Sequence, residues 1–197
     1  MVTPGTCGPT EDANLNRFFH EAAHAVAAVR MGMLQITIRD ENRKSERSAV
    51  STDANITYSC LLFDGESTLD MLRRKLCATL AGPAWEAVSN LKVGVNPKDE
   101  YHSALKAQRD DDTAVAVIRN RLGREANLLD HEIEQIITEV WHNAVELIQS
   151  HSGHITMIGN AFNTYHSLDD SQIRMLFAQA SNNISSEPGD VRNTIWK

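Results

Sequence analysis

Apolar residues recur every three or four positions along most of the chain, and the clearest repeat lies between residues 127 and 150. This spacing places apolar side chains on one side of an α-helix, which then has one face to bury. The repeat predicts helices over residues 14–30, 67–88, 101–107, 110–122, 127–150, 154–164 and 169–181. The pattern therefore favours a mostly helical chain with a core where these faces meet.

Two stretches follow a period of two instead of the helical period. Residues 34–39 alternate between apolar and polar side chains, and residues 54–62 alternate over much of their length. Such alternation is typical of a strand with one buried face. The charged residues 40–49 between the two stretches predict a loop or a hairpin tip. The expected fold class is therefore mostly α with a small β-sheet (α+β).

Proline, glycine and polar residues predict where the elements end. Residues 1–13 are rich in Pro, Gly and Thr and predict a flexible N-terminal segment, and the polar residues 183–197 predict a flexible tail. Pro83 predicts a kink or a break in the helix that contains it, because proline lacks a backbone donor and clashes with the preceding turn. Ser167 and Asp170 predict a capping box for the last helix.

Composition narrows the class of protein and of partner. The 197 residues are 42% hydrophobic and 23% charged, which is ordinary for a globular domain. The net charge of −7 disfavours nucleic acid and anionic membranes as partners. No apolar run approaches the roughly 20 residues of a membrane span, and the N-terminus lacks the pattern of a secretory signal. The three cysteines are widely separated, which favours reduced thiols and a cytoplasmic protein.

The helix predicted over residues 14–30 contains the string His20-Glu21-Ala22-Ala23-His24, which has the form HExxH. Residues four apart lie on one face of a helix, so His20 and His24 can bind one ion. Neutral imidazoles suit Zn²⁺, and Glu21 follows the first ligand closely enough to accept a proton from water. Apolar residues surround the string, and buried polar groups need a partner or a metal. The string therefore predicts a zinc metalloprotease site with Glu21 as general base.

A catalytic zinc usually has three protein ligands, so the site requires one more. The residues after His24 lack the glycine and the third histidine of the long metzincin motif. Two other sources are Glu86 on the second predicted helix and the run Asp110-Asp111-Asp112 at the start of a later one. Acidic residues are also favoured at helix N-termini by capping and by the helix dipole. The residue types therefore leave the third ligand open.

Three segments together resemble the peptidase domain of FtsH-type zinc metalloproteases. Residues 19–26 are similar to the HEAGHA-type motif of that family, and residues 80–86 are similar to its LAGRAAE-type helix. In the helix that begins at the acidic run, Ala114 and Arg119-Asn120 match the family's pattern in place. The resemblance covers about residues 14–180, and its HExxH part is specific, whereas the later helices match mainly in their order.

The resemblance implies a zincin-like HExxH helix, a C-terminal helical bundle and a single FtsH-like zinc peptidase domain over residues 14–182. In that family two histidines and an aspartate at the start of the later helix hold the metal. Carried over, this implies His20, His24 and either Asp110 or Asp111 as ligands, with Asp110 slightly preferred. The implied activity is zinc-dependent hydrolysis of peptide bonds in flexible or unfolded polypeptides.

The sequence departs from the family's pattern in ways that bear on function. Pro83 and Trp85 stand where the family has Arg and Ala, and the sequence contains neither a Gly-x-x-x-x-Gly-Lys-Ser/Thr loop nor a membrane segment. We therefore expect an ATP-independent peptidase, with a homo-oligomer or a separate ATPase partner left open. The departures also motivate an alternative function, a proteolytically inactive metal-binding or interaction domain derived from such a peptidase.

Two further expectations concern the surroundings of the site. The strand over residues 34–39 is a candidate for pairing with an extended substrate, because strand addition gives affinity without sequence choice. The remaining histidines, among them His102, His151 and His154, are expected at surface or capping positions rather than as ligands, although His102 lies near enough to the acidic run to line the cleft.

Overall fold

A computed structural model of the chain describes residues 11–40, 54–89, 95–106 and 108–184. It is mostly helical with a small antiparallel sheet, so the predicted fold class is confirmed. The elements are α1 (Glu11–Arg30), β1 (Leu34–Asp40), β2 (Ala54–Ser59), α2 (Thr68–Ser89), a 3-10 turn (Pro97–Asp99), α3 (Tyr101–Lys106), α4 (Arg109–Glu125), α5 (Asp130–Ser150), α6 (Ser152–Tyr165), β3 (Ser167–Leu168) and α7 (Asp170–Ile184). Within these ranges no helix is long and apolar enough to cross a lipid bilayer.

Helix α1 is the central element of the core. It packs mainly against α2 and α6, and its alanines 22, 23, 25, 27 and 28 are fully buried. Small side chains let neighbouring helices approach closely. The helix ends in a Schellman motif, in which Met33 N–H donates to Ala28 C=O and Gly32, with a φ of 68°, donates to Val29 C=O. Glycine adopts this left-handed conformation without steric penalty.

The three-stranded sheet has the order β2-β1-β3, so β1 is its central strand. Ile38 of β1 pairs with Ile56 on one side and with Leu168 on the other. On the β3 side, Asp170 also accepts a hydrogen bond from the Ile36 N–H at 3.0 Å. Both sides of β1 are therefore occupied, and the expectation that this strand pairs with a substrate is wrong. The two outer strands of the sheet are β2 and the two-residue β3.

Helix α2 continues through Pro83, so the predicted break near Gly82 does not occur. The residue before a proline is normally pushed out of the helical region by its Cβ, which Gly82 lacks. Pro83 is buried, and α2 packs along α1 and α5 over this stretch. Tertiary packing therefore outweighs the hydrogen bond that proline cannot make.

The ends of several elements differ from the sequence-based expectation. Helix α1 begins at Glu11 rather than residue 14, and α4 runs past Gly123 to Glu125. The capping box of α7 is formed by Asp169 and Gln172, which exchange bonds of 2.9 Å, and not by Ser167 and Asp170. The segments 1–10 and 185–197, expected to be flexible, and the predicted loop residues after Asp40 lie outside the described residues.

Candidate metal centre

The HExxH string lies near the middle of α1, and residues 25–30 of the helix follow it. His20 and His24 are buried, with 6% and 3% of their surface exposed. Because the two residues are four apart, their rings lie on the same face, and their Nε2 atoms are 3.1 Å from each other. This face contacts α2 at Gly82. The two nitrogens thus converge in a buried space between α1 and α2.

Asp111 brings a carboxylate to the same space from the first turn of α4. Its Oδ2 lies 3.1 Å from His20 Nε2, and its Oδ1 lies 3.3 Å from His24 Nε2. The ligand atoms of these three residues all lie within 4.8 Å of one another, so the cluster could hold a metal ion. Asp110, by contrast, is exposed. This geometry reverses the sequence-based preference, and Asp111 takes the place given to Asp110.

The outer nitrogen of each imidazole has a hydrogen-bond acceptor as its partner. His20 Nδ1 lies 3.0 Å from Glu86 Oε1, and His24 Nδ1 lies 2.7 Å from the Ala78 carbonyl oxygen. Since a carboxylate and a carbonyl only accept, both Nδ1 atoms carry the proton and donate. In a neutral imidazole this leaves Nε2 as a bare lone pair, which is the form that binds metal. Glu86, the alternative third ligand, therefore contacts the far side of His20.

Positive charge is needed among the three inward-facing atoms, because two lone pairs and a carboxylate repel one another. Burial lowers the pKa of His20, but hydrogen bonds with Asp111 and Glu86 outweigh burial and raise that pKa to about 10. For His24, burial again lowers the pKa, but the charge of Asp111, the hydrogen bond with Asp111 and the charge of Glu21 together outweigh burial, and the net shift is upward. Burial raises the pKa of Asp111, but the two imidazoles hold that pKa below its usual range. Without a metal, protons supply the charge.

Two of the three ligand separations are close to the edge of a tetrahedral zinc site. Ligand atoms about 2.0–2.2 Å from zinc at tetrahedral corners lie about 3.3–3.6 Å apart. The two Nε2 atoms are 3.1 Å apart, and Asp111 approaches them with different oxygens, Oδ2 at 3.1 Å from His20 and Oδ1 at 3.3 Å from His24. With one oxygen of Asp111 as the ligand, the three atoms lie within 4.8 Å of one another. Gly82 keeps the space between them open, because a Cβ at this position would lie 2.3 Å from His24 Nε2 and 2.4 Å from His20 Nε2. The donor set of two imidazoles and a carboxylate is therefore of a kind that zinc binds, and the cluster is compact enough to hold a metal ion.

Glu21 lies next to His20 on α1 and is also buried, with 8% of its surface exposed. Burial raises the pKa of its carboxyl group, while the charges of His24 and His20 lower it, and the net shift is upward. A carboxylate with a raised pKa is a stronger base at neutral pH than an ordinary one. Glu21 therefore has the burial and the basicity that a general base in this motif requires.

Two residues of the site were not anticipated from the sequence. Gly82 leaves room for the imidazoles, and Gln108 donates to Glu86 Oε1 at 2.7 Å. A small residue in a helix and a glutamine before an acidic run are both common, so neither pattern points to a site by itself. His102 is exposed, its ring lies tilted beside that of Tyr101, and it is not a member of the metal-ligand cluster.

In comparisons with known proteins, no protein-family model matches the chain and no curated protein is significantly similar to it. The resemblance to FtsH-type peptidase domains therefore stays a prediction that depends on the motifs within the sequence.

Proposed function

We propose that the protein is a zinc-dependent metallopeptidase that hydrolyses peptide bonds in flexible or unfolded polypeptides. The observation that carries this proposal is the convergence of His20, His24 and Asp111, whose ligand atoms lie within 4.8 Å of one another, with Glu21 buried next to His20 on the same helix. An HExxH helix with a third ligand from a later helix is an arrangement used for peptide hydrolysis. The FtsH-type resemblance favours the same activity.

Zinc held by the two histidines and Asp111 would supply a Lewis acid that polarises a carbonyl group and lowers the pKa of water to about 7. Glu21 accepts the proton of the attacking water as the general base, a role that its burial next to His20 supports. The protonated Glu21 then donates to the nitrogen of the leaving amine. Glu86 and the Ala78 carbonyl hold the two imidazoles in the required tautomer.

The outer strand β2 is the better candidate for contact with an extended substrate, since β1 is paired on both sides. Tyr58 of β2 reaches α2, where its hydroxyl lies 3.2 Å from Thr79 Oγ1. Thr79 directly follows Ala78, whose carbonyl accepts from His24. The strand therefore lies beside the helix that forms one wall of the site. Backbone pairing selects for flexible segments rather than for a sequence.

The experiment compares the purified wild-type protein with Glu21→Gln, which keeps the shape of the side chain and removes the base. We expect both proteins to bind one zinc per chain, and only the wild type to cleave unfolded casein. Loss of cleavage with retained zinc would support the proposed role of Glu21. Cleavage by the Glu21→Gln protein at the wild-type rate would contradict it.

The same experiment separates the alternative function from the main one. If both proteins bind zinc and neither cleaves casein or flexible peptides, the protein is better described as a metal-binding or interaction domain. If neither protein binds zinc or another divalent transition metal, the metallopeptidase and a metal-binding domain are both excluded, and only an interaction domain is left. Adding ATP is not expected to change the wild-type rate, because the sequence contains no phosphate-binding loop.

A further inference from the structure

Gln108 occupies the N-cap position of α4, the helix that carries Asp111, but its side chain does not cap that helix. N-cap residues are usually Ser, Thr, Asp or Asn, whose short side chains accept from the first turn. The amide of Gln108 extends away from α4 instead and donates to Glu86 Oε1 on α2 at 2.7 Å. The side chain thus forms a contact between helices in place of a local cap.

The oxygen that receives this bond is the same atom that accepts from His20. Glu86 Oε1 lies 3.0 Å from His20 Nδ1 and 2.7 Å from Gln108 Nε2. One carboxylate oxygen therefore joins α1, which carries two metal-ligand candidates, to the start of α4, which carries the third. Both partners of Glu86 are partly or fully buried, so water competes weakly for these bonds.

The later turns of α4 are held by other contacts. Val115, Ile118 and Leu122 are buried in the core. The backbone bond from Asp112 N–H to the Gln108 carbonyl, at 3.0 Å, begins the helix without help from the glutamine side chain. Losing the side-chain bond therefore leaves the helix formed and docked. It frees the first turn, where Asp111 lies one turn from Gln108.

We infer that Gln108 is a positioning residue that fixes Asp111 against His20 and His24 through Glu86. The inference rests on the proposed metal site. A ligand set must be held to within about 0.5 Å of its productive geometry by the groups around it. Removing such an outer contact typically weakens metal affinity by about 10- to 100-fold. Gln108 acts only through Glu86, because its amide donates to the carboxylate and not to a ligand.

The test is a double-mutant cycle in zinc affinity, measured by competition with a chromophoric chelator. We expect Gln108→Leu and Gln108→Met each to bind Zn²⁺ about 10- to 100-fold more weakly than the wild type. Methionine has nearly the length of glutamine but no N–H donor and no charge, so the second variant keeps the test valid if the first folds poorly. In a Glu86→Ala background, Gln108→Leu should weaken binding no further, because the group it acts through is gone.

The control is Gln135, which is exposed on α5. Gln135→Met makes the same chemical change at the surface and should leave zinc affinity unaltered. Wild-type affinity in both Gln108 variants would overturn the inference while leaving the proposed function intact. An equal loss from Gln108→Leu with and without Glu86 would also overturn it, since the residue would then act by general destabilisation. A wild-type protein that binds no zinc would overturn this inference and the proposed function together.

Discussion

Two pairs of neighbouring histidines have similar ring spacing and opposite surroundings. The rings of His20 and His24 are 4.8 Å apart, and those of His151 and His154 are 5.0 Å apart. The first pair faces Asp111 and has Glu86 behind it. The second pair lies where α6 begins and packs against the ring of Phe177 on α7. One pair is thus embedded among carboxylates and the other against an aromatic ring.

The difference indicates that two close histidines form a candidate metal site only where a third ligand faces them, as Asp111 does for the first pair. Burial lowers the pKa of imidazoles in both places. Acidic partners reverse this effect for His20, whose pKa rises to about 10, whereas burial and the neighbouring His151 lower the pKa of His154 to about 4. His154 donates to Ser181 Oγ, because the serine hydroxyl itself donates to the Phe177 carbonyl. His154 was expected at the surface or in a cap; it is buried instead, with 5% exposed.

The contrast between the two pairs would fail most clearly if a methyl group could occupy the space between His20 and His24 without loss of zinc binding. Gly82→Ala places a methyl group 2.3 to 2.4 Å from both Nε2 atoms, in the space between the candidate ligands. We expect this variant to show no zinc-dependent stabilisation. For the wild type, zinc at about 100 times its Kd stabilises by about 2.7 kcal/mol, which is roughly a 5–11 °C rise in Tm for a chain of this size. The measurement is thermal melting with Zn²⁺ and with chelator.

Gly159→Ala is the matched control. Gly159 lies on α6, and a Cβ there would lie 2.3 Å from the ring of Phe19 on α1, the helix that also carries His20 and His24. Overpacking at such a contact costs about 1–3 kcal/mol, so the Tm of the metal-free protein should fall. The zinc-dependent rise in Tm should nevertheless persist. An equal zinc response in Gly82→Ala and the wild type would show that metal, if bound, lies elsewhere.

A smaller effect concerns the pH dependence of zinc affinity. The carboxylates near His20 raise its pKa, so zinc affinity should depend steeply on pH. In the metal-free protein His20 has a pKa of about 10 and is protonated at neutral pH. Zinc binding must release that proton, so affinity should tighten by at least about tenfold per pH unit between pH 6 and 8. Histidines with ordinary pKa values would give a flat profile above pH 7. A Kd that is constant between pH 7 and 8 would rule out the raised pKa.

Local periodicity was sufficient to predict much of what places the first pair. Helix geometry alone puts residues four apart on one face, and the apolar surroundings of the HExxH string predicted its burial. The strand alternation over residues 34–39 likewise predicted β1. These features depend on residues that are close together along the chain, so they can be predicted from a single sequence.

The third ligand depended on packing that a single sequence does not contain. Asp110, Asp111 and Asp112 follow one another around a helix start at about 100° per residue, and each fits the local pattern. The packing of α4 selects Asp111 among the three aspartates. Val115 and Ile118 are buried on the face of α4 that also carries Asp111, so this face points into the protein. Glu86 was likewise a reasonable ligand candidate until docking placed it behind His20. The sequence thus predicted the kind of site, whereas tertiary contacts determined its register.

The smallest expected effect concerns the second pair, in the acid range. A histidine whose folded-state pKa is about 4 stays neutral in the folded protein while the unfolded chain takes up a proton below pH 6.5. The free energy of unfolding is therefore not reduced by His154 above pH 6.5, and it falls as the pH drops from 6.5 toward 4. The raised pKa of His20 adds no slope there, because below pH 6.5 it is protonated in both states. In metal-free protein this linkage amounts to about 2 kcal/mol between pH 6.5 and 4.5, so we expect His154→Leu to lose about 4–9 °C less in Tm than the wild type over that range. The control is His131→Leu at an exposed position, and its Tm should fall with pH as the wild-type Tm does. Equal slopes for His154→Leu and the wild type would mean that burial against Phe177 does not depress the pKa of His154, and the contrast between the two pairs would then reduce to their partners alone.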